Sequence, residues 1–117
     1  MQNAFIIVNK LKDIGFNFKH IGTVYLLDTI KILNQNKDLI ENIEKNVYTK
    51  LAKKYKKKTI TIKSDIIKAT NYMYVHTAIK DLNYYFPNNA YEKITPKMVI
   101  NTILIFIETE KSSMELP

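Results

Sequence analysis

The 117-residue chain has no cysteine and no arginine, for all 18 of its basic residues are lysine. Without cysteine there is no disulfide framework, no thiol nucleophile and no thiolate metal site. That fits a reducing compartment, and a cytoplasmic location is the expectation. Without arginine, the usual bidentate reader of guanine is missing. Glycine occurs only at Gly15 and Gly22, too rarely to cradle a phosphate, and no GxGxxG, P-loop or GxSxG pattern is present. The longest apolar run, residues 103–107, falls far short of the roughly 20 residues that a membrane span needs. The first turns interleave Asn3, Asn9, Lys10, Lys12 and Asp13 with apolar residues, unlike a secretory signal. A soluble protein with no membrane partner is expected.

An apolar fraction of 46% and a charged fraction of 25% suit one globular domain over residues 1–117, long enough to bury a single core. The net charge of +7 favours polyanion partners, nucleic acid before anionic membrane. The plainer alternative is a solvated surface whose coding bias favours Lys, Asn and Ile.

Apolar periodicity predicts helices throughout and no convincing strand, since TITIK alternates for only five residues. A first helix over residues 4–14 would be capped by Asn3 and closed by Gly15. Its inner face would carry Phe5, Val8 and Leu11, with Ile7 and Ile14 as further candidates. Gly15 and Gly22 bracket a connector and are read as two backbone turns. A second helix, capped by Thr23 and running to about residue 34, turns in Val24, Leu27, Ile30 and Leu33. A third, capped by Asp38, covers residues 39–56 as one continuous element with Ile43, Val47 and Leu51 inward. A fourth starts at Thr59 or Thr61 and packs Ile62, Ile66, Ala69 and Met73 against the core. A break near residues 76–78 precedes a short fifth helix bearing Ile79, Leu82, Tyr85 and Phe86. Residues 87–94 are a loop. The sixth helix opens with Thr95 as cap and Pro96 in the first turn, and turns in Met98 or Val99, Ile103, Phe106 and Ile107. Residues 109–117 are expected to fray. The fold class is therefore all-α, six helices in one domain.

Chemistry is hard to place on this chain. His20 and His76 lack cysteine or carboxylate partners at metal-ligand spacing and read as surface or packed histidines. Glu41, Glu44 and Asp65 stand singly on helix faces. No cofactor and no catalytic site is expected, so an enzyme is not the reading. The eight tyrosines could stack on single-stranded nucleic acid, although their helical spacing suits core edges better.

The informative stretch is residues 47–73, where seven of the fourteen residues from Lys50 to Lys63 are lysine. Two helices meeting at a short basic break form the pattern of a helix-turn-helix. Lys53, Lys54, Lys56, Lys57 and Lys58 would grip phosphates. Thr61, Lys63, Ser64, Ile67, Lys68 and Asn71 would face the groove, with Ile60 near its entrance. The alternative is a lysine cluster that only solubilises a helix end, where cations also suit the dipole.

These residues resemble the C-terminal DNA-binding effector domain of the stage zero sporulation protein A family. Gly15, Gly22 and TVYLLDTI stand in register with that family's glycine, six residues and G-Y-L-Y-L-R-E-A-I-like run. Its Y-P-D-I-A-K-K-Y segment is matched at Tyr48, Ala52, Lys53, Lys54 and Tyr55, with Leu51 similar and Thr49 in place of proline. Its V-E-R-A-I-R-H-A-I recognition pattern falls on residues 62–70. Tyr85-Phe86-Pro87 stands where the family has L-F-G, and Thr95-Pro96 opens the last helix as its Pro/Thr pair does.

The resemblance implies six helices and a helix-turn-helix built from the third and fourth. It implies sequence-specific duplex binding with tandem copies or a homodimer on DNA, and contact with the polymerase sigma subunit through about residues 77–90. The family's base-reading Glu and Arg fall on Lys63 and Ser64, and its Arg-His pair on Ile67 and Lys68, so its target sequence does not carry over. Lysines, Asn71 for adenine and Ile67 for a thymine methyl suit an A·T-rich site. Family members carry a receiver domain that this chain, beginning at Met1, does not show. A stand-alone regulator or a degenerate paralogue follows as the expectation. The competing expectation is a protein-interaction module, an antagonist or adaptor that has lost base reading.

Overall fold

The computed structural model describes residues 2–88 and 92–115, with side chains at residues 4–88 and 92–110. Those residues contain helices and no strand. The order is α1 Gln2–Ile14, α2 Ile21–Gln35, α3 Thr49–Tyr55, α4 Thr59–His76, α5 Ile79–Tyr85 and α6 Pro96–Glu115. Between α2 and α3 the chain makes a tight 3-10 stretch, Lys37–Asn42, then a wide π-type turn, Glu44–Tyr48.

The long third helix expected over residues 39–56 is thus three segments of different pitch, and only its last seven residues are α-helical. Val47 and Tyr48 nonetheless face inward together with Leu51 and Ala52, the i, i+1, i+4, i+5 set that shares one helical face. Asp38 supplies no side-chain cap there.

The α1 face is rotated from expectation. Ile7, Leu11 and Ile14 are fully buried, whereas Phe5 is 70% exposed and Val8 is half-buried. Residues 7, 11 and 14 make a tighter stripe on a 3.6-residue helix than 5, 8 and 11 joined to 7 and 14. Asn3 lies inside α1, not before it. Gly15 ends the helix as expected, with φ +124° and the Phe16 N–H donating to the Leu11 carbonyl at 2.9 Å.

Gly22 is a correction. It is no turn residue but sits inside α2, where a Cβ would stand 1.9 Å from the Asp65 carbonyl oxygen of α4 and 3.0 Å from the Ala69 Cβ. Helices 2 and 4 cross there backbone against backbone. Thr23, expected as a cap, is buried one residue further on, because α2 begins at Ile21. On this helix Tyr25 and Leu26 join Ile30 and Leu33 in the core, while Val24 and Leu27 are half-buried.

The remaining helices hold closer to expectation. Ile62, Ile66, Ala69 and Met73 of α4 are buried. The break after His76 precedes α5, whose Leu82 and the following Phe86 are buried while Ile79 stays exposed. Thr95 caps α6, accepting from the Met98 N–H at 3.3 Å. Helix α6 buries Val99, Ile100, Ile103, Leu104 and Ile107. It continues through residues 109–115, where fraying was expected; residues 116–117, like 89–91 of the expected loop, lie outside the described residues.

Two outcomes follow. Gly22→Ala should cost about 3 kcal/mol, since backbone must move to admit the methyl group; urea denaturation of the two proteins measures it. Tyr48 is buried, and desolvation, aided by the Glu44 charge, pushes its hydroxyl up to about 12. An unfolded tyrosine ionises near pH 10 and the folded one does not. Stability is therefore intact below pH 10 and falls by about 1.4 kcal/mol per pH unit from there towards pH 12, and Tyr48→Phe should flatten that limb of the urea-midpoint profile.

Candidate nucleic-acid interface

Three residues separate α3 from α4: Lys56, Lys57 and Lys58. Lys56 adopts the left-handed conformation, φ 55° and ψ 48°, the one non-glycine residue with positive φ among those described. This bends the chain sharply, and the Lys57 N–H closes the end of α3 on the Ala52 carbonyl at 2.9 Å. Lys58 is extended and takes the N-cap position of α4. Neither Thr59 nor Thr61 caps this helix; both belong to its first turn, and no side chain bonds there in their stead. The first turn of α4 also carries no acid. Its free N–H groups and dipole therefore meet solvent between exposed lysines.

The core stripe of α4 leaves the opposite side free. Lys68 is exposed, and Thr61, Lys63, Ser64, Ile67 and Asn71 are half-buried at the flanks of neighbouring helices, none of them in the core. Ser64, Lys68 and Asn71 recur at helical spacing, so they share the outward side. Two exposed apolar residues, Ile60 at 67% and Val75 at 73%, extend that stripe at either end. Val75 was legible from the spacing 64, 68, 71, 75, although it was not among the residues expected on that side.

The lysines divide into two groups. Lys53, Lys56, Lys57 and Lys58 are exposed and make no ion pair among the described residues. Lys54 turns back to α2, where its Nζ donates to Asp28 Oδ2 at 3.0 Å, an oxygen that also accepts from the Tyr55 hydroxyl. The bond to Asp28 holds the Lys54 ammonium above its ordinary pKa. Burial, then the same carboxylate, raises that of the Tyr55 hydroxyl. Lys63 reaches Glu44 at 2.6 Å, and both side chains are about half exposed. A pair so wetted is worth at most about 1 kcal/mol, so Lys63 can exchange it for another anion.

The far end of α4 carries an aromatic stack. Tyr72 lies between His20, with ring centroids 4.4 Å apart, and His76, at 3.9 Å and nearly parallel. Both histidines are thus engaged in packing at the surface.

A basic, sharply turned helix pair with the second helix open along one side is now in view, over the segment that carries the sequence resemblance. A model of the family described as Sporulation initiation factor Spo0A C terminal matches residues 7–107. The chain belongs to this family. The comparisons bring out no matching curated protein and no matching solved structure. Members of the Spo0A C-terminal family are DNA-binding domains of transcription regulators, and this is the class to which the protein is assigned. No helix among the described residues is long and apolar enough to cross a membrane.

Lys56→Gly should raise stability by up to about 1 kcal/mol, because relief of the left-handed strain exceeds the added entropy of an unfolded glycine. The check is a melting temperature higher by a few degrees.

Proposed function

We propose that the protein binds duplex DNA as a helix-turn-helix, with α3 and α4 as its two helices and α4 entering the major groove. The observation that carries this is the uncapped N-terminus of α4, flanked by unpaired Lys56, Lys57 and Lys58, at the head of a helix whose outward side stays out of the core. Phosphate oxygens would satisfy those N–H groups as well as the ammonium ions, which fixes the register of the helix on the duplex. Lys53 adds a further phosphate contact from α3. Lys54 joins only if it leaves Asp28.

Base reading would fall to Lys63, Ser64, Lys68 and Asn71, with Thr61 and Ile67 beside them. Asparagine pairs with adenine, lysine with the acceptors of guanine, and an apolar side chain with the thymine methyl. Exposed Ile60 adds a second methyl-seeking group near the entrance. Such a surface favours A·T-rich sites over the family's own target. Two copies bound in tandem would account for regulation at paired sites. Ile79 and Tyr84, both exposed, are available to the sigma subunit within the segment 77–88; Ala90, also in the expected sigma segment, lies outside the described residues.

One observation favours the second reading, an interaction module. Val75 is apolar, strongly exposed and on the outward side of α4, where a protein partner would bury it and a phosphate would not.

Electrophoretic shifts with random and A·T-rich duplexes separate the two readings. Neutralising about six phosphates predicts log K falling against log salt with a slope near −5. Lys63→Glu/Lys68→Glu should abolish the shift. A salt slope near zero, or no shift of any duplex at low salt, would leave the interaction reading.

A further inference from the structure

Beside the turn, an open hollow of about 250 Å3 lies between α2 and α3. Lys31 and Gln35 reach it from α2, Lys50 and Lys54 from α3, with buried Leu51 and nearly buried Asp28 at its base. Lys31 and Lys50 have no ion-pair partner among the described residues. Asp28, the one acid in the lining, already accepts from Lys54 and from the Tyr55 hydroxyl, so its charge is answered from within the fold.

We infer that this hollow is an anion seat, built for a phosphate group. Lys31, Lys50 and Lys54 are exposed around one recess. Their like charges repel, and an oxyanion among them would convert that repulsion into charge-assisted hydrogen bonds. Three lysines and the Gln35 amide offer donors from two helices to the separate oxygens of one tetrahedral group. The one carboxylate of the lining has its donors already. The recess is smaller than the sites that enclose drug-sized ligands, which suits a phosphate with little attached to it. Two sources share this chemistry: a free phosphate or small phosphomonoester, and a backbone phosphate of duplex flanking the part bound by α4. The seat stands on α2 and α3 alone and does not require that α4 read DNA.

The test titrates the full chain with inorganic phosphate at constant ionic strength, following lysine ε-methylene and tyrosine ring resonances. Saturable shifts are expected at Lys31, Lys50 and Lys54, and at Tyr55 through Asp28, with Lys80 and Lys93 unmoved. Lys31→Gln and Lys50→Gln should each weaken phosphate binding roughly tenfold. Asp28→Asn should tighten it, because the opposing charge is gone. A second arm replaces phosphate by a short duplex. Shifts at Lys31 and Lys50 that free phosphate competes away identify the DNA backbone as the source, whereas saturation by phosphate without response to duplex identifies a small ligand. Shifts that grow linearly at every lysine alike, or that persist in Lys31→Gln/Lys50→Gln, overturn the inference. So does a melting temperature that phosphate raises equally in wild type and double variant.

Discussion

The architecture rests on one close approach, the crossing of α2 and α4 at Gly22. With no side chain on Gly22 and only a methyl on Ala69, the Asp65 carbonyl comes so near that a Cβ would overlap it. This seats α4 deep against α2 and spends its apolar stripe on the interior. Gly15 allows a second close contact at the other end of α4. There a Cβ would lie 2.3 Å from the Thr77 hydroxyl, which itself donates to the Ile14 carbonyl at 3.3 Å. Held by backbone contact at Gly22 and by the Thr77 side chain at Gly15, α4 presents a fixed outward side. That is the kind of fixity that the proposed reading of a duplex would need.

Charge is distributed in two layers on this frame. Asp28 binds Lys54 and Tyr55 and so ties α3 to α2. Glu44 reaches across to Lys63 and links the approach to α3 with the start of α4. Lysines near an acid are absorbed into the structure, and those of the turn are left unpaired. Seven lysines that look equivalent along the chain therefore have different work. Since the net charge is +7, the unpaired ones leave this end of the molecule positively charged.

Much of the fold was legible because its strongest signals are local. Helix existence followed from apolar periodicity, the Thr95-Pro96 start from capping chemistry, and the close of α1 from Gly15. The core set of α4 was legible for the same reason, and with it the outward position of Ser64, Lys68 and Asn71. What failed were inferences that needed a neighbour. The same glycine logic that identified Gly15 misplaced Gly22, because a helix crossing and a turn demand the same missing side chain. The pitch changes between residues 37 and 48 answer to packing on α2 and α4, and they leave no periodic trace. Thr59 and Thr61 resemble caps, yet a lysine stands at the cap position, since the bend at Lys56 fixes where the helix begins.

By itself the sequence determined an all-helical domain, the basic break at residues 56–58, the side of α4 that turns inward and the family to which the chain belongs. The first three depend on residues adjacent along the chain or one helical turn apart, where spacing fixes geometry, and the family on motifs held in register from Gly15 to Pro96. Only the tertiary structure decided which lysines are free, that Gly22 is a crossing point, and that Lys31, Lys50 and Lys54 surround one recess. Those facts join residues far apart in sequence, and the distances among them are set by how α2, α3 and α4 pack.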